Sequence, residues 1–380
     1  MLEYWLRLNY LRRYSLPQKR ALIDRLGSPE AILNSPTDQL DSLLISLGIS
    51  AYGARRSNIV SSHAIDLAVE KDLLTLDNYN AGFIPFTDRA YPLLLNHIDS
   101  APLGLFYRGD IKLLSSPQIA IVGSRKASRG GMETARCFAK SIAQSGFTVT
   151  SGIAMGIDAG AHRGALEATG KTIAVIATGI DQIYPYANKN LYQQILESGL
   201  LISEYLPGTP PRRTNFPQRN RIISGLSYGT LVIEAGMRSG SLITARIAAD
   251  QGREVFAIPG SIHAAGSRGC HYLIRQGAAL VESVDDILDE LSWGGSRTLA
   301  SAPPADPDAV CLDPELSRIF ALIEHSPCPI DQLISLSGLT TEQVSSILIR
   351  LELQGLVSES IGGYQRIPGV TASNNTLKID

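Results

Sequence analysis

The chain has 380 residues, 44% hydrophobic and 18% charged, a composition of folded multidomain proteins rather than disordered ones. No apolar run approaches the roughly 18 residues a membrane helix needs, and charges inside MLEYWLRLNYLRR argue against a secretory signal. The net charge of −2 hides an asymmetry: residues 108–275 hold 19 Lys+Arg against 10 Asp+Glu, and residues 276–380 hold 5 against 15. That split predicts one module that meets phosphates and an acidic one that does not.

Residues 1–75 read as a small helical module with turns at Gly27, Ser35-Pro36 and Gly48. Its outline is that of a sterile-alpha-motif or helix-hairpin-helix unit, read first as a packing or protein-contact module. Arg55-Arg56 is a weak basic point in it, read as a solvated pair. Two short runs, FIPFT and GLFYR, are expected to add edge strands to the sheet built by the next stretch of chain. From Gln118 the pattern becomes strand, turn, helix. Buried-strand candidates are 118–123, 147–152, 172–179, 201–205, 229–235 and 254–260. The spacing predicts an α/β fold with a doubly wound, mainly parallel sheet over 82–291, whose ligands sit outside the strands' C-terminal ends. A Gly/Ser/Ala/Pro linker (292–311) leads to three helices and a ribbon with a Gly-Gly turn, the outline of a winged helix over 312–368. Residues 369–380 are expected to be disordered.

The chemistry-bearing motifs lie at the strand-to-helix corners. GSR at 123–125 offers main-chain N–H groups and a permanently charged fork. FPQRNR (216–221) opens a helix with Arg219, Asn220 and Arg221; residues two apart do not share a helix face, so one arginine is expected to meet ligand while the other braces the fold. RSGSLIT (238–244) is a second anion-ready helix start, with Arg238, Ser239, Gly240, Ser241 and Thr244. SGIAMGIDAGAH has glycines every fourth residue, not the G-x-G-x-x-G of dinucleotide binding. In it Asp158 reads as a helix cap and His162 as a structural histidine. GKT at 170–172 precedes a strand rather than a helix, so it is no ATP-binding loop. Four scattered cysteines (Cys137, Cys270, Cys311, Cys328) form no CxxC pair, which points to free cytoplasmic thiols and no metal site. So many arginines at one sheet edge exceed the needs of a mononucleotide and point to an extended polyphosphate, single-stranded DNA. The winged helix, by contrast, carries only Arg350 on its would-be recognition helix within an acidic third, and a protein partner is expected for it.

Eight ordered motifs go further: VGSR (122–125), SGIAMGIDAGAH (151–162), GKTIAVIATGID (170–181), Tyr184-Pro185, SEY (203–205), FPQRNRIISGL (216–226), EAGMRSGSLIT (234–244) and GREVFAIPGSI (252–262). Together they closely resemble the DprA/Smf family of DNA-processing proteins. The resemblance implies an extended Rossmann-like domain and a non-enzymatic protein that protects incoming single-stranded DNA and loads the RecA recombinase in natural transformation. It implies DNA contacts at Arg125 and at Arg213. The family's lysine after Tyr-Pro is Tyr186 here, leaving two substitutes open, Lys189 or stacking by Tyr186. The expected DNA and phosphate contacts are therefore Gly123, Ser124, Arg125, Gly156, Lys189, Arg213, Arg219, Asn220, Arg221, Arg238, Ser239, Gly240, Ser241 and Thr244, with no catalytic residue, metal or cofactor. A homodimer is implied through 266–281, with His271, Ile274 and Leu280 in the interface. The alternative is a nucleotide phosphoribohydrolase on a related fold. Its PGGxGTxxE signature lacks the Pro-Gly-Gly here, and Glu234 falls four residues after Thr230 rather than three.

Overall fold

The structure is a computed structural model that describes residues 1–50, 62–168, 170–293, 310–312, 314–323, 327–360, 362–367 and 372–374. Arg55-Arg56 and most of the 292–311 linker lie outside the described residues.

The N-terminal part consists of α1 (Leu2–Tyr10), α2 (Leu16–Leu26), α3 (Pro29–Asn34), α4 (Thr37–Ser46) and α5 (Ser62–Asn78). These helices do not close a core of their own. Trp5 packs on Phe83 and Phe86 at ring-centroid distances of 6.1 and 6.0 Å. Leu22, Leu40 and Leu44 share one apolar cluster with strand residues such as Ile84, Leu105 and Val122. Arg20 stacks over Phe86 at 4.0 Å and donates to the Pro102 carbonyl at 2.9 Å. The module and the sheet are thus welded by burial, the dominant favourable term in folding.

The sheet is built from β1 (Gly82–Pro85), α6 (Leu93–Asn96), β2 (Gly104–Gly109), β3 (Gln118–Gly123), α7 (Arg129–Gln144), β4 (Thr148–Ser151), α8 (Ile157–Ala168), β5 (Thr172–Val175), α9 (Lys189–Ser198) and β6 (Leu200–Ser203). It continues through α10 (Asn215–Leu226), β7 (Gly229–Ile233), α11 (Gly240–Asp250), β8 (Glu254–Ala257), α12 (Arg268–Arg275), β9 (Ala279–Leu280) and α13 (Val284–Glu290). Nine strands pair in the order β1-β2-β6-β5-β4-β3-β7-β8-β9. β1 and β2 join antiparallel, as the two proline-flanked runs predict, and the seven strands from β6 across to β9 run parallel. Alternation along β3 explains the two layers. Ile119 and Ile121 face a cluster with Ala135, Ala139 and Ile142 of α7; Ala120 and Val122 face one with Ile222 and Ile223 of α10 and Ala245 and Ala248 of α11.

The four-residue glycine spacing has a packing cause. A Cβ at Gly164 would collide with the Arg136 backbone, and one at Gly160 would crowd the Met132 carbonyl. Glycines on one helical face let α8 lie against α7 at backbone distance. His162, on the same helix, is fully buried. Its Nδ1 lies 2.8 Å from Thr172 Oγ1, whose hydroxyl donates to the Val149 carbonyl at 2.7 Å. Nδ1 therefore carries the proton, and burial pushes the ring's pKa down to about 3, so this histidine is neutral and structural.

Beyond the body, β10 (Val310–Leu312), α14 (Pro314–Leu322), α15 (Ile330–Ser337), α16 (Thr341–Leu353), β11 (Val357–Ser360), β12 (Gly363–Arg366) and β13 (Ala372–Asn374) form the winged helix, with its own core around Ile319, Leu333, Ile347 and Leu348. Thr340 and Gln343 make a capping box at the start of α16. Residues 372–374, within the stretch read as a disordered tail, pair in parallel with 310–312 at the end of the linker.

One buried carboxylate makes stability depend on pH. Tyr10 donates to Asp72 at 2.7 Å, joining α1 to α5, and burial pushes Asp72 up to about 6. The folded pKa lies above the ordinary 3.8, so this group's favourable contribution is complete below pH 3.8 and is lost as pH rises through 6. Asp72→Asn, which still accepts the tyrosine proton, should raise stability by roughly 1–3 kcal/mol at pH 8 and leave it unchanged near pH 3.5. Urea titrations at the two pH values check this; equal shifts at both would remove the claim.

Candidate nucleic-acid interface

The sheet starts at β3 and grows from there in both directions, through β4 on one side and β7 on the other, which places the topological switch point between β3 and β7. Ligands of such sheets bind outside the carboxyl ends of the strands at this point. The register carries both strands to the same level, with Gly123 opposite Ile233, and the Ser124 N–H donates to the Glu234 carbonyl at 2.8 Å. Here a crevice of about 540 Å³ opens, lined by Gly123, Ser124, Arg125, Lys126, Arg219, Asn220, Arg238, Ser239, Gly240, Ser241 and Thr244.

Ten of the fourteen residues expected from sequence thus come together at one place. Each arrives by local geometry. Gly123 and the two residues after it close β3, while Ser239 caps α11 by accepting from the Ser241 N–H at 3.4 Å and contacts the Ser241 hydroxyl at 2.7 Å. The α11 start so directs its first N–H groups and its positive dipole end into the crevice. Arg125 is exposed, with its guanidinium 5.2 Å over the Phe216 ring. Lys126, next in the chain, adds a cation not singled out from sequence, although its position directly after GSR was signal enough.

The remaining four are placed elsewhere. Gly156 supports the corner rather than lining it: its φ is 79°, and a Cβ there would strike the Ser124 carbonyl. Arg221 pairs with Glu204 at 2.6 Å and is not a wall of the crevice. Arg213 is exposed on the loop before α10, and Lys189 opens α9 with its ammonium 5.6 Å over the Tyr186 ring. Of the two FPQRNR arginines, then, Arg221 braces the surface and Arg219 forms the crevice floor.

Arg219 is only 4% exposed, and its guanidinium donates to the Val175 carbonyl. Its Nε has no hydrogen-bond partner among the described residues. Beneath the same floor Asp158 accepts from the Ala154 N–H at 3.3 Å. Burial pushes the Asp158 pKa up, and the nearby Arg219 charge opposes that shift. Asp158, a buried wall of the crevice, is thus the counter-charge that makes a buried arginine tolerable.

Two non-glycine residues at the same rim have left-handed backbone: Ile153 at φ 52° and Glu234 at φ 53°. Such conformations cost about 1–3 kcal/mol each and persist where surrounding contacts over-determine them. Asn188 donates to the Ile153 carbonyl at 2.9 Å and to that of Ala154 at 3.2 Å, and the Glu234 carboxylate accepts from the Ser128 N–H at 2.8 Å. Glu234 is also wedged against Gly131 and Gly266. It faces the α7 start and is not a wall of the crevice.

The three residues expected in a dimer interface sit toward the far edge of the sheet. Leu280, on the outermost strand β9, is 49% exposed; Ile274 packs half-buried on the core, and His271 Nε2 lies 2.9 Å from the Gly260 carbonyl.

A family model described as DNA recombination-mediator protein A matches residues 82–292, and one described as the DprA winged helix domain matches residues 301–363. The chain belongs to the DprA/Smf family. It is 42% identical to Protein Smf of Escherichia coli over 307 residues, 79% of this chain and 81% of that one. It is 49% identical over 206 residues to the DNA processing protein DprA of Streptococcus pneumoniae, 54% of this chain and 73% of that one. The crystal structure of the pneumococcal family member superposes with a TM-score of 0.64 at 36% identity, covering 76% of this chain and 98% of that one. A Helicobacter pylori member, solved for its single-stranded DNA binding mode, gives 0.51 at 28% identity over 56% of this chain and 96% of that one. The family's sheet and winged helix are those found here. Among the described residues no helix is long and apolar enough to cross a membrane.

Proposed function

We propose that this chain binds single-stranded DNA in the switch-point crevice, without catalysis, and delivers the strand to the RecA recombinase during natural transformation. The observation that carries the binding step is the convergence of Arg125, Lys126, Arg238 and the α11 start in one crevice, floored by buried Arg219. Backbone amides and guanidinium forks suit phosphate oxygens and carry no base preference. The solved single-strand binding of the H. pylori relative supports the same ligand. The recombinase step is supported by the match to a family model described as DNA recombination-mediator protein A.

The crevice argues against hydrolysis. Its one carboxylate among the described residues, Asp158, is a buried wall held against the Arg219 charge, and Glu234 faces elsewhere. No general acid–base pair of the described residues therefore meets a bound nucleotide.

Binding of oligodeoxythymidine of several lengths, at two salt concentrations and against duplex competitor, tests the first step. Tighter binding to single strands, falling steeply with salt, is expected; duplex preference would overturn it. Stimulation of RecA filament formation on DNA coated with single-strand-binding protein tests the second.

We also propose a homodimer across the β9 edge, through His271, Ile274 and Leu280, the last of them exposed on the outermost strand of the sheet. Leu280→Arg should give monomers that still fold, because the side chain is exposed within one subunit, with a melting temperature that no longer depends on protein concentration. Monomeric wild-type protein in analytical ultracentrifugation would remove the dimer.

A further inference from the structure

The crevice lies on the α10–α11 face of the sheet, and on the α7 face a second cleft opens, of about 1130 Å³. One wall is the body, with Ser128, Arg129 and Gly130 at the α7 start and the loop that leaves β8. The other is the winged helix, whose β11–β12 ribbon, the wing, contributes Glu359, Gln365 and Arg366. The wing rests on the α7 start: a Cβ at Gly130 would lie 3.4 Å from Gln365 Nε2. Glu234 stands between the two cavities. Its main-chain carbonyl accepts from the Ser124 N–H of the crevice corner, and its carboxylate accepts from the Ser128 N–H, both at 2.8 Å.

Cations cross this divide. Arg125 and Lys126 line the crevice, and Arg129, three residues on, is an exposed wall of the cleft, which it shares with the exposed carboxylate of Glu359. Charge gives the wing a reason to sit there. Residues 310–367 hold seven acidic side chains against three basic ones, and residues 108–275 hold 19 basic against 10 acidic. The contact itself is slack. The cleft left between the two walls has about twice the volume of the crevice, whereas a permanent interface is packed like a protein interior. A module held by screened attraction across an open cleft is displaceable.

We infer that the wing is a built-in competitor of the bound strand: it occupies the α7 start, where Arg125, Lys126 and Arg129 lead out of the crevice, and a strand longer than the crevice must displace it. This rests on the crevice reading above and adds a regulation to it. The sign follows from charge. Phosphate and Glu359 compete for the same cation, so each weakens the other's hold by the same factor. A short strand that ends within the crevice meets no competition. The sixteen residues 294–309 reach at most about 55 Å, so a displaced winged helix stays near the body and returns when the strand leaves.

The test joins the wing to α7 in the full chain. Gly130→Cys with Gln365→Cys is linked by a short bismaleimide, and each single variant controls for reaction at the native cysteines. The linked protein should bind oligodeoxythymidine of about thirty residues roughly tenfold more weakly than the same protein unlinked, and a strand of about six residues equally well. Glu359→Gln, a change at an exposed side chain, should tighten the long strand about threefold at about 0.05 M salt and leave it unchanged at about 0.5 M, where the attraction is screened. In the single variant Gln365→Cys the new thiol should react faster with maleimide once the long strand is bound. Equal affinity of linked and unlinked protein for the long strand, or failure of the two cysteines to link without DNA, would overturn the competition and leave the crevice standing. Tighter binding by the linked form would make the wing part of the DNA site and overturn it as well. Binding of neither length by the wild-type chain would end both readings.

Discussion

Arg219→Met should lower folding stability by about 3–5 kcal/mol, the largest loss expected of any single change at the interface. The replaced guanidinium is buried, donates to the Val175 carbonyl and offsets the charge of buried Asp158. Without it, one carbonyl loses its donor and one carboxylate loses its counter-charge inside a low-dielectric floor. Methionine is close in length, so the deficit reports charge and hydrogen bonding more than a cavity. A deficit of this size is a large share of the 5–15 kcal/mol typical of a folded domain. It should also depend on pH in a definite direction. With Arg219 gone, burial drives Asp158 further up, so the carboxyl is neutral and harmless at low pH and costly once charged. The gap between variant and wild type should therefore widen as pH rises from 4 to 8. Adding Asp158→Asn should recover part of the loss, and urea midpoints at unchanged slope measure each step. Full additivity of the two changes would mean the residues are not coupled.

That coupling also explains which half of FPQRNR was readable in the sequence. Helical geometry dictates that Arg219 and Arg221 face different ways, and they do, but nothing in the residue types says which faces the sheet. The answer comes from tertiary partners, Val175 and Asp158 for one and Glu204 for the other. The sheet itself was legible because parallel strands buried on both faces are written as continuous runs such as QIAIVG and GTLVI. β9 was not, because two residues carry no periodicity. The crevice was legible because anion-binding corners need glycine, serine and arginine together; the exposure of Met155 and Ile183 was not, because such residues look like core until the fold leaves them outside. The N-terminal helices show the same limit. Their apolar faces are plain in sequence, but an apolar face does not name its partner, and Trp5 finds Phe83 and Phe86 rather than a core of its own. The close approach of the α8 glycines to α7 could be seen only once both helices were placed.

The double variant Arg125→Ala, Arg238→Ala should bind single-stranded DNA roughly a hundredfold more weakly at 0.1 M salt, with its folding stability unchanged. Both side chains are exposed walls of the crevice, and neither makes an ion pair among the described residues, so their removal leaves no buried group unsatisfied. Two lost phosphate contacts should also flatten the plot of log affinity against log salt by about 1.4, since each contact on a single strand contributes about 0.7. The slope is the sharper readout. A general loss of structure lowers affinity at every salt concentration without changing the number of counter-ions released, whereas loss of these two forks changes that number. The contrast with Arg219 comes from burial alone. The same residue type, a few ångströms deeper, holds the floor together instead of holding the ligand, so its replacement should appear first in the melting curve and only through it in the binding curve. If the double variant kept the wild-type slope, the phosphates would have to run along some other surface, and Arg213 with Lys189, two exposed basic residues outside the crevice, would be the next to replace.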